Sequence, residues 1–74
     1  MVKMLSMSIE RLDDGKRYVV ANIVADTQDE VDACGNSGDG IFGLTPNDVM
    51  VLGSLALCAD GSCGMIDSQG QWKW

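Results

Sequence analysis

The chain has 74 residues, enough for one domain whose single hydrophobic core is near the lower size limit for independent stability. Apolar residues make up 46% of it and charged residues 22%, which is a globular rather than a disordered composition. Histidine is absent, so the chain lacks the commonest general base and the commonest metal ligand. The net charge of −6 disfavours contact with nucleic-acid phosphates and anionic membrane surfaces.

The N-terminus and the hydropathy pattern bear on where the protein is made. Residues 1–8 lack the apolar segment of a secretory signal. The longest mostly apolar stretch, residues 49–59, is shorter than the roughly 20 residues of a membrane-spanning helix. We therefore expect a soluble protein made in the cytoplasm. Its three cysteines, Cys34, Cys58 and Cys63, are then expected to be reduced and to pack as small, half-buried apolar side chains.

Residues 3–25 have the pattern of a β-hairpin. Leu5, Met7 and Ile9 alternate with polar residues, as in a half-buried strand. Asp14-Gly15 is a favoured pair for a two-residue type I′ turn, and the segment after it is rich in strand-forming residues. An uninterrupted register from this turn predicts four cross-strand pairs: Leu5 with Val24, Met7 with Asn22, Ile9 with Val20, and Arg11 with Tyr18.

A short helix is predicted to follow the hairpin. Asp26-Thr27 is typical of an N-cap, and Glu30 stands at the capping-box spacing from Thr27. Acidic residues fill the first turn, where the helix dipole favours them. Gly35 is a natural C-cap, so the helix is expected to end near Cys34.

Residues 35–45 form a glycine-rich loop whose apolar side chains are Ile41, Phe42 and Leu44. Ordering so many glycines costs backbone entropy, and these three side chains are expected either to enter the core or to lie on a partner. The segment 45–48, Thr-Pro-Asn-Asp, has the pattern of a second helix start with proline at the first helical position. Gly53 would end that helix, which predicts about one helical turn.

Residues 54–74 have the pattern of a three-stranded β-meander. A strand at Leu55–Cys58 leads into a turn at Asp60-Gly61, the chain returns over 62–67, and a short last strand covers 71–74. With a two-residue turn, Cys58 and Cys63 lie directly opposite each other. They are then either two packed apolar side chains, as a cytoplasmic chain favours, or a cross-strand disulfide.

These elements predict a mainly β, small α+β fold in a single domain over residues 1–74: an N-terminal β-hairpin, a short helix, a glycine-rich loop and a C-terminal three-stranded β-meander. The cysteine spacing does not fit a zinc site, and the acids between Asp26 and Asp39 lack the order of a calcium loop. No serine has a histidine base, and the glycine-rich loop has neither a P-loop nor a dinucleotide-binding pattern. The sequence therefore predicts a protein that is not an enzyme and that binds no metal or cofactor.

A longer pattern occupies the C-terminal part of the chain. It consists of Gly53-Ser54-Leu55-Ala56-Leu57-Cys58, a turn, Gly64-Met65-Ile66-Asp67-Ser68-Gln69-Gly70 and then Trp72, preceded by Ala25-Asp26-Thr27 and the acidic helix. This pattern resembles the C-terminal signature of small proteins from tailed bacteriophages and prophages of Gram-positive bacteria. The resemblance covers about residues 24–74. The family usually has an aromatic residue before the methionine, where this chain has Gly64.

The resemblance implies a virion-associated structural protein, assembled in the host cytoplasm. It implies docking in many copies on the capsid, as a decoration or head-fibre attachment protein, or on the tail. The implied partners are capsid or other virion proteins and further copies of the chain. We expect the partner-binding side chains to be the apolar residues of the loop and the last strand: Ile41, Phe42, Leu44, Trp72 and Trp74. The alternative for the tryptophans is that one ring closes the core while the other frays with the terminus.

A second hypothesis places the protein in another class. Residues 26–74 carry eight acidic residues and one lysine, a net charge of −7, which is a feature of small acidic inhibitors and DNA mimics that bind a host protein. The acids lack phosphate-like spacing, and apolar contact residues imitate DNA poorly. Salt separates the two hypotheses, because charge-driven binding weakens from low to moderate ionic strength whereas apolar docking persists.

Overall fold

The protein is built around one mixed β-sheet with a single short helix. A computed structural model describes residues 1–74 and has these elements: β1 (Val2–Asp13), β2 (Lys16–Ala25), α1 (Gln28–Cys34), β3 (Ile41–Phe42), β4 (Asp48–Met50), β5 (Leu55–Cys58), β6 (Cys63–Ile66) and β7 (Trp72–Lys73). The strand order is β3-β1-β2-β5-β6-β7, and β4 also pairs with β2. The predicted mainly β, small α+β fold is confirmed. None of the chain's helical structure has the length and apolar character needed to cross a membrane.

The N-terminal hairpin turns at the predicted residues. Asp14 and Gly15 both have positive φ angles, 52° and 76°, as a type I′ turn requires. Arg11 pairs with Tyr18 as predicted, and its guanidinium carbon lies 4.0 Å from the centre of the tyrosine ring. The hairpin and its turn are therefore confirmed.

Beyond that pair, the predicted register of the hairpin is wrong. Two β-bulges in β1, one near Glu10 and one at Leu5, each shift the strand by one residue against β2. Three predicted pairs are therefore absent: Leu5 with Val24, Met7 with Asn22, and Ile9 with Val20. Met7 pairs with Ala21 instead and packs against the core, whereas Leu5 is 60% exposed. The apolar residues of β1 consequently divide between the two faces of the sheet.

The predicted helix is confirmed as α1. The Thr27 hydroxyl accepts a hydrogen bond from the Glu30 amide at 3.3 Å, and the Glu30 carboxylate accepts one from the Thr27 amide at 3.2 Å. This reciprocal pair is a complete capping box. Gly35, at a φ of 59°, is the C-cap. Val31 is the buried residue of the helix, so α1 rests on the sheet mainly through one side chain.

The second predicted helix is wrong, because residues 45–48 form a tight turn and β4 follows as a strand. The Asp48 amide donates a hydrogen bond to the Thr45 carbonyl at 3.0 Å. The Thr45 amide in turn donates a hydrogen bond to the Asp48 carboxylate at 2.8 Å. The same carboxylate is fully buried and accepts two hydrogen bonds from Arg17, at 2.6 and 2.9 Å. This ion pair joins the turn to β2, and β4 continues beside β2 as a parallel strand.

The C-terminal meander is confirmed, but its first turn differs from the prediction. Three residues, 59–61, form the turn, and the Cys58 amide donates to the Ser62 carbonyl at 2.9 Å. Cys63 therefore pairs with Leu57, and the predicted pairing of Cys58 with Cys63 is wrong. Because side chains alternate along a strand, the two thiols lie on opposite faces of the sheet, and both are free.

The hydrophobic core lies on one side of the sheet, which we call the inner face. It consists of ten buried residues: Val2, Val19, Ala21, Ile23, Ala25, Val31, Ile41, Met50, Ala56 and Ile66. α1, β3 and β4 contribute to this core together with the long strands. We call the other side of the sheet the outer face. Its positions on β2 are the even-numbered ones, and none of them is fully buried.

Candidate interaction surface

The predicted partner-binding residues do not form one surface. Ile41 is 3% exposed and belongs to the core, so its assignment to partner binding is wrong. Its neighbour Phe42 is 66% exposed, while Leu44 is partly buried against the core. β3 and β7 are the two opposite ends of the strand order, which separates Phe42 from Trp72 and Trp74.

Trp72 and Trp74 hold the helix against the sheet. Their rings stack with centroids 5.8 Å apart and planes 28° apart. The Trp72 indole N–H donates to the Gly35 carbonyl at 2.8 Å, and the Trp74 indole N–H donates to Asp32 Oδ1 at 2.9 Å. Both indoles therefore make intramolecular contacts with α1 and its C-cap, and neither ring frays with the terminus as the core-closing alternative expected for one of them.

Gly64 provides the space that Trp74 occupies. A Cβ at position 64 would lie 2.8 Å from the Trp74 ring, closer than side-chain atoms can approach. Gly64 is buried on the inner face, opposite Ala56 on β5. The family that the C-terminal pattern resembles usually has an aromatic residue at position 64. In this chain the indole of Trp74, after the last strand, fills the space above Gly64.

The outer face carries a continuous apolar surface that nothing in residues 1–74 covers. We define the outer-face patch by six residues of four neighbouring strands: Leu5, Val24, Leu55, Leu57, Cys63 and Met65. Leu57 lies between Val24 and Cys63 in one cross-strand row, and Leu55 pairs with Met65 in the next. Leu57 is 58% exposed, and a groove of about 310 Å³ crosses the patch between Leu5 and Leu57. Contiguous exposed apolar side chains of this kind mark contact surfaces.

A signal for this patch is present in the sequence. A strand buried on one face alternates apolar and polar residues, but β5 reads Leu-Ala-Leu-Cys and residues 19–25 contain one polar residue, Asn22. Runs without alternation are typical of strands that have apolar contacts on both faces. The Asn22 amide donates to the Ser6 hydroxyl at 3.0 Å, so its polar group has a partner on the outer face.

The open edge of β1 is a poorer contact surface than the outer face. β3 pairs with β1 only at Val2 and Lys3, which leaves the edge of β1 beyond Lys3 without a strand neighbour. The two bulges interrupt this edge, and bulges hinder the addition of a further strand. The face of the sheet is therefore the better candidate for protein contact.

Several acidic groups of residues 26–74 serve the fold. Hydrogen bonds from Arg17 hold the pKa of Asp48 below its usual range. The Ser62 and Gln28 amides donate to Asp60, at 2.8 and 3.1 Å, and lower its pKa. Hydrogen bonds also lower the pKa values of two further acids, Glu30 and Asp67. These intramolecular roles weaken the DNA-mimic hypothesis, which requires carboxylates free to contact a partner.

The titratable side chains are dispersed over the molecule. Nowhere do three or more acidic or thiol groups converge into a set able to hold a metal ion. Burial raises the pKa of the Cys34 thiol and of the Cys58 thiol, so both are protonated at neutral pH. Cys63 is exposed within the outer-face patch.

Comparisons with known proteins identify no relative of this chain. No protein-family model matches it, and no curated protein or solved structure matches it either.

Proposed function

We propose that the protein is a non-enzymatic accessory structural protein of a bacteriophage particle, docked in many copies on the capsid or the tail. The C-terminal pattern, from Gly53 to Trp72, supports the phage assignment through its resemblance. One exposed apolar face supports the structural role: the outer-face patch and, on the same face beyond Lys3, the side chain of Phe42 on the edge strand β3.

The exposed apolar side chains of the outer face, with Phe42 at the edge of that face, carry the proposal. A component present in many copies must contact the assembly that it joins and can also contact its own neighbours. Burial of apolar area, at about 25 cal/mol per Å², supplies the driving force for both contacts. Many weak contacts on a symmetric shell add avidity to each single one. Salt weakens such apolar contacts little, unlike contacts between opposite charges.

Phe42 is the predicted contact residue best placed to bind the shell. It is 66% exposed, and β3 has no strand neighbour beyond it. Its neighbour Ile41 is fixed in the core, so the backbone under Phe42 is anchored and little entropy is lost when the ring is buried by a partner.

Sedimentation of lysate from the source culture tests the proposal. We expect the chain to travel with megadalton particles beside capsid or tail proteins, as identified by mass spectrometry of that fraction. Phe42→Ala should reduce the amount in the particle fraction, whereas Leu12→Ala, at a leucine that is 71% exposed on the hairpin, should not. A chain that stays in the slow fraction with one host protein would overturn the proposal and favour the acidic-inhibitor hypothesis.

A further inference from the structure

The outer-face patch has one occupant that fits its chemistry, charge and size. We propose that a second copy of this chain covers it, with the two sheets packed face to face and the two α1 helices on the outside. The inference goes beyond the proposed function, because this pair forms in the purified protein whether or not a phage particle is present.

The apolar composition of the central strands requires a cover for the outer face. Leu55, Leu57 and Met65 are each between 44% and 58% exposed, although they lie on adjacent strands in the middle of the sheet. α1 packs on the inner face, so it cannot cover them. A second sheet of the same composition supplies apolar side chains that can pack against these three residues.

Charge determines which face two copies can share. Each copy carries a net charge of −6. Four acids lie in or just before α1, on the inner-face side: Asp26, Asp29, Glu30 and Asp32. Contact through the helices would oppose like charges, which is costly. On the outer face, Lys3 pairs with Val24, and Lys73 pairs with Met65 and lies 3.8 Å from the Asp67 carboxylate, so the border of the patch carries few charges, of both signs. Face-to-face packing keeps the acidic helices on the two far sides of the pair.

The sheet is large enough for a stable pair. The molecule measures 35 × 23 × 19 Å, and its short dimension accommodates one sheet and one covering layer, because stacked layers are about 10 Å apart. A standard protein interface takes about 800 Å² of accessible surface from each partner, which is about a fifth of the 4322 Å² that one copy exposes. Apolar residues at the middle of this face and polar residues such as Ser6 and Lys3 at its border match the core and rim of an interface.

Known sheet packing gives the pair a definite form. Two twisted sheets that pack face to face align at about 30° and lie about 10 Å apart. The order of layers is then helix, sheet, sheet, helix. Leu57 and Cys63 are buried at the centre of the pair, while Phe42, on the same face but on the edge strand β3, lies at the rim of the contact.

Sedimentation equilibrium of the purified protein tests the pair. We expect a mass twice that of the chain, 7.9 kDa for one copy, and a single-copy mass for Leu57→Lys with an unchanged circular dichroism spectrum. Leu12→Lys is the matched control, because it adds the same charge at an exposed leucine outside the patch and should leave the pair intact. A wild-type chain that stays single up to about 1 mM overturns the inference, and so does a Leu57→Lys chain that still pairs.

The Cys63 thiol reports independently on the patch. In the pair, alkylation of Cys63 should be slowed at least about tenfold, and dilution or Leu57→Lys should restore the fast rate. Peptide mapping separates Cys63 from the two partly buried thiols, Cys34 and Cys58. Fast labelling at every concentration overturns the inference. The phage assignment fails separately, since an intact pair that never sediments with particles contradicts only that assignment.

Discussion

The two faces of the sheet have similar side chains and different surroundings. On the inner face, Ile23, Ala56 and Ile66 are at most 1% exposed, covered by α1 and the segments that follow it. On the outer face, Leu55 and Leu57 occupy the same strand as Ala56 and remain in water. Residue type alone therefore does not separate core from contact surface in this chain. The covering layer does, and there is only one such layer.

Because only the inner face is covered, we expect substitutions on the two faces to change the stability of the folded chain by different amounts. Removing apolar volume from the inner face leaves a cavity in the folded chain, which lowers its free energy of unfolding. Removing it from the outer face changes a surface that is already hydrated, so the folded chain loses little stability, whereas the proposed pairing of two copies should be weakened.

The largest expected effect comes from a matched pair of truncations on the two faces. Ile66→Ala should lower the free energy of unfolding by about 3 kcal/mol, as truncation of fully buried aliphatic residues does. Leu57→Ala should lower it by less than about 1 kcal/mol. Urea denaturation at concentrations where the chain is single measures both. Equal losses for the two variants would contradict the division between the faces.

Substitution of Asp48 in its buried ion pair with Arg17 should give the next largest loss of stability. Asp48→Asn should cost about 2–3 kcal/mol, because it removes the charge that holds Arg17 and leaves the turn at 45–48 with a weaker acceptor. The Arg17 side chain is 35% exposed, so it can rehydrate, which limits the loss. Asp13→Asn, at an exposed strand end, is the control and should change stability little. Urea denaturation at neutral pH is the measurement.

The same pair predicts the direction of the pH dependence. The folded pKa of Asp48 lies below its ordinary value of 3.8, so its stabilising contribution is fully present above that value and is lost as the pH falls through the folded pKa. Wild type and Asp48→Asn should therefore differ in stability at pH 7 and converge in strong acid. A difference that stays constant down to pH 2 would show that the charge of Asp48 is not its cause.

Short-range signals allowed the Asp14-Gly15 turn and the helix α1 to be predicted. The Asp14-Gly15 turn needs only residues with access to positive φ, and the capping box needs only Thr27 and Glu30. The β4 strand could not be predicted in this way, because the partner that redirects Asp48 is Arg17, 31 positions earlier. Bulges have the same difficulty, since they insert residues without a distinctive local sequence.

The contact surface was predicted less well than the fold. Ile41 and Phe42 were both predicted to bind a partner, but Phe42 is exposed and Ile41 belongs to the core, because alternation along β3 sends the two side chains to opposite sides. The missed outer-face patch follows from treating the strands as half-buried when β5 and the middle of β2 lack alternation. A single extra residue in the turn at 59–61 placed Cys63 on that patch rather than opposite Cys58.

Trp74→Ala tests the inner-face role of the last strand. It removes the ring over Gly64 and the hydrogen bond to Asp32, and the side chain is 37% exposed, so we expect a loss of about 2 kcal/mol, below that for a fully buried tryptophan. Trp74→Phe keeps a ring over Gly64 and should lose less, whereas Phe42→Ala, at an exposed aromatic, should leave thermal unfolding unchanged. If Trp74→Ala folds as stably as wild type, the partner-binding prediction for this residue regains support.

Thr27→Ala should give the smallest effect and affect the inner-face layer alone. The hydroxyl satisfies the Glu30 amide at the first turn of α1, and its loss should cost about 1 kcal/mol. Thr27→Ser retains the hydroxyl and should recover most of that stability. Because α1 rests on the sheet through Val31, we expect faster hydrogen exchange in the helix while the amides that pair β5 with β6 keep their protection. If hydrogen exchange of the β5–β6 amides were accelerated equally, α1 and the sheet would open together. The helix and the sheet would then be one cooperative unit, contrary to this prediction.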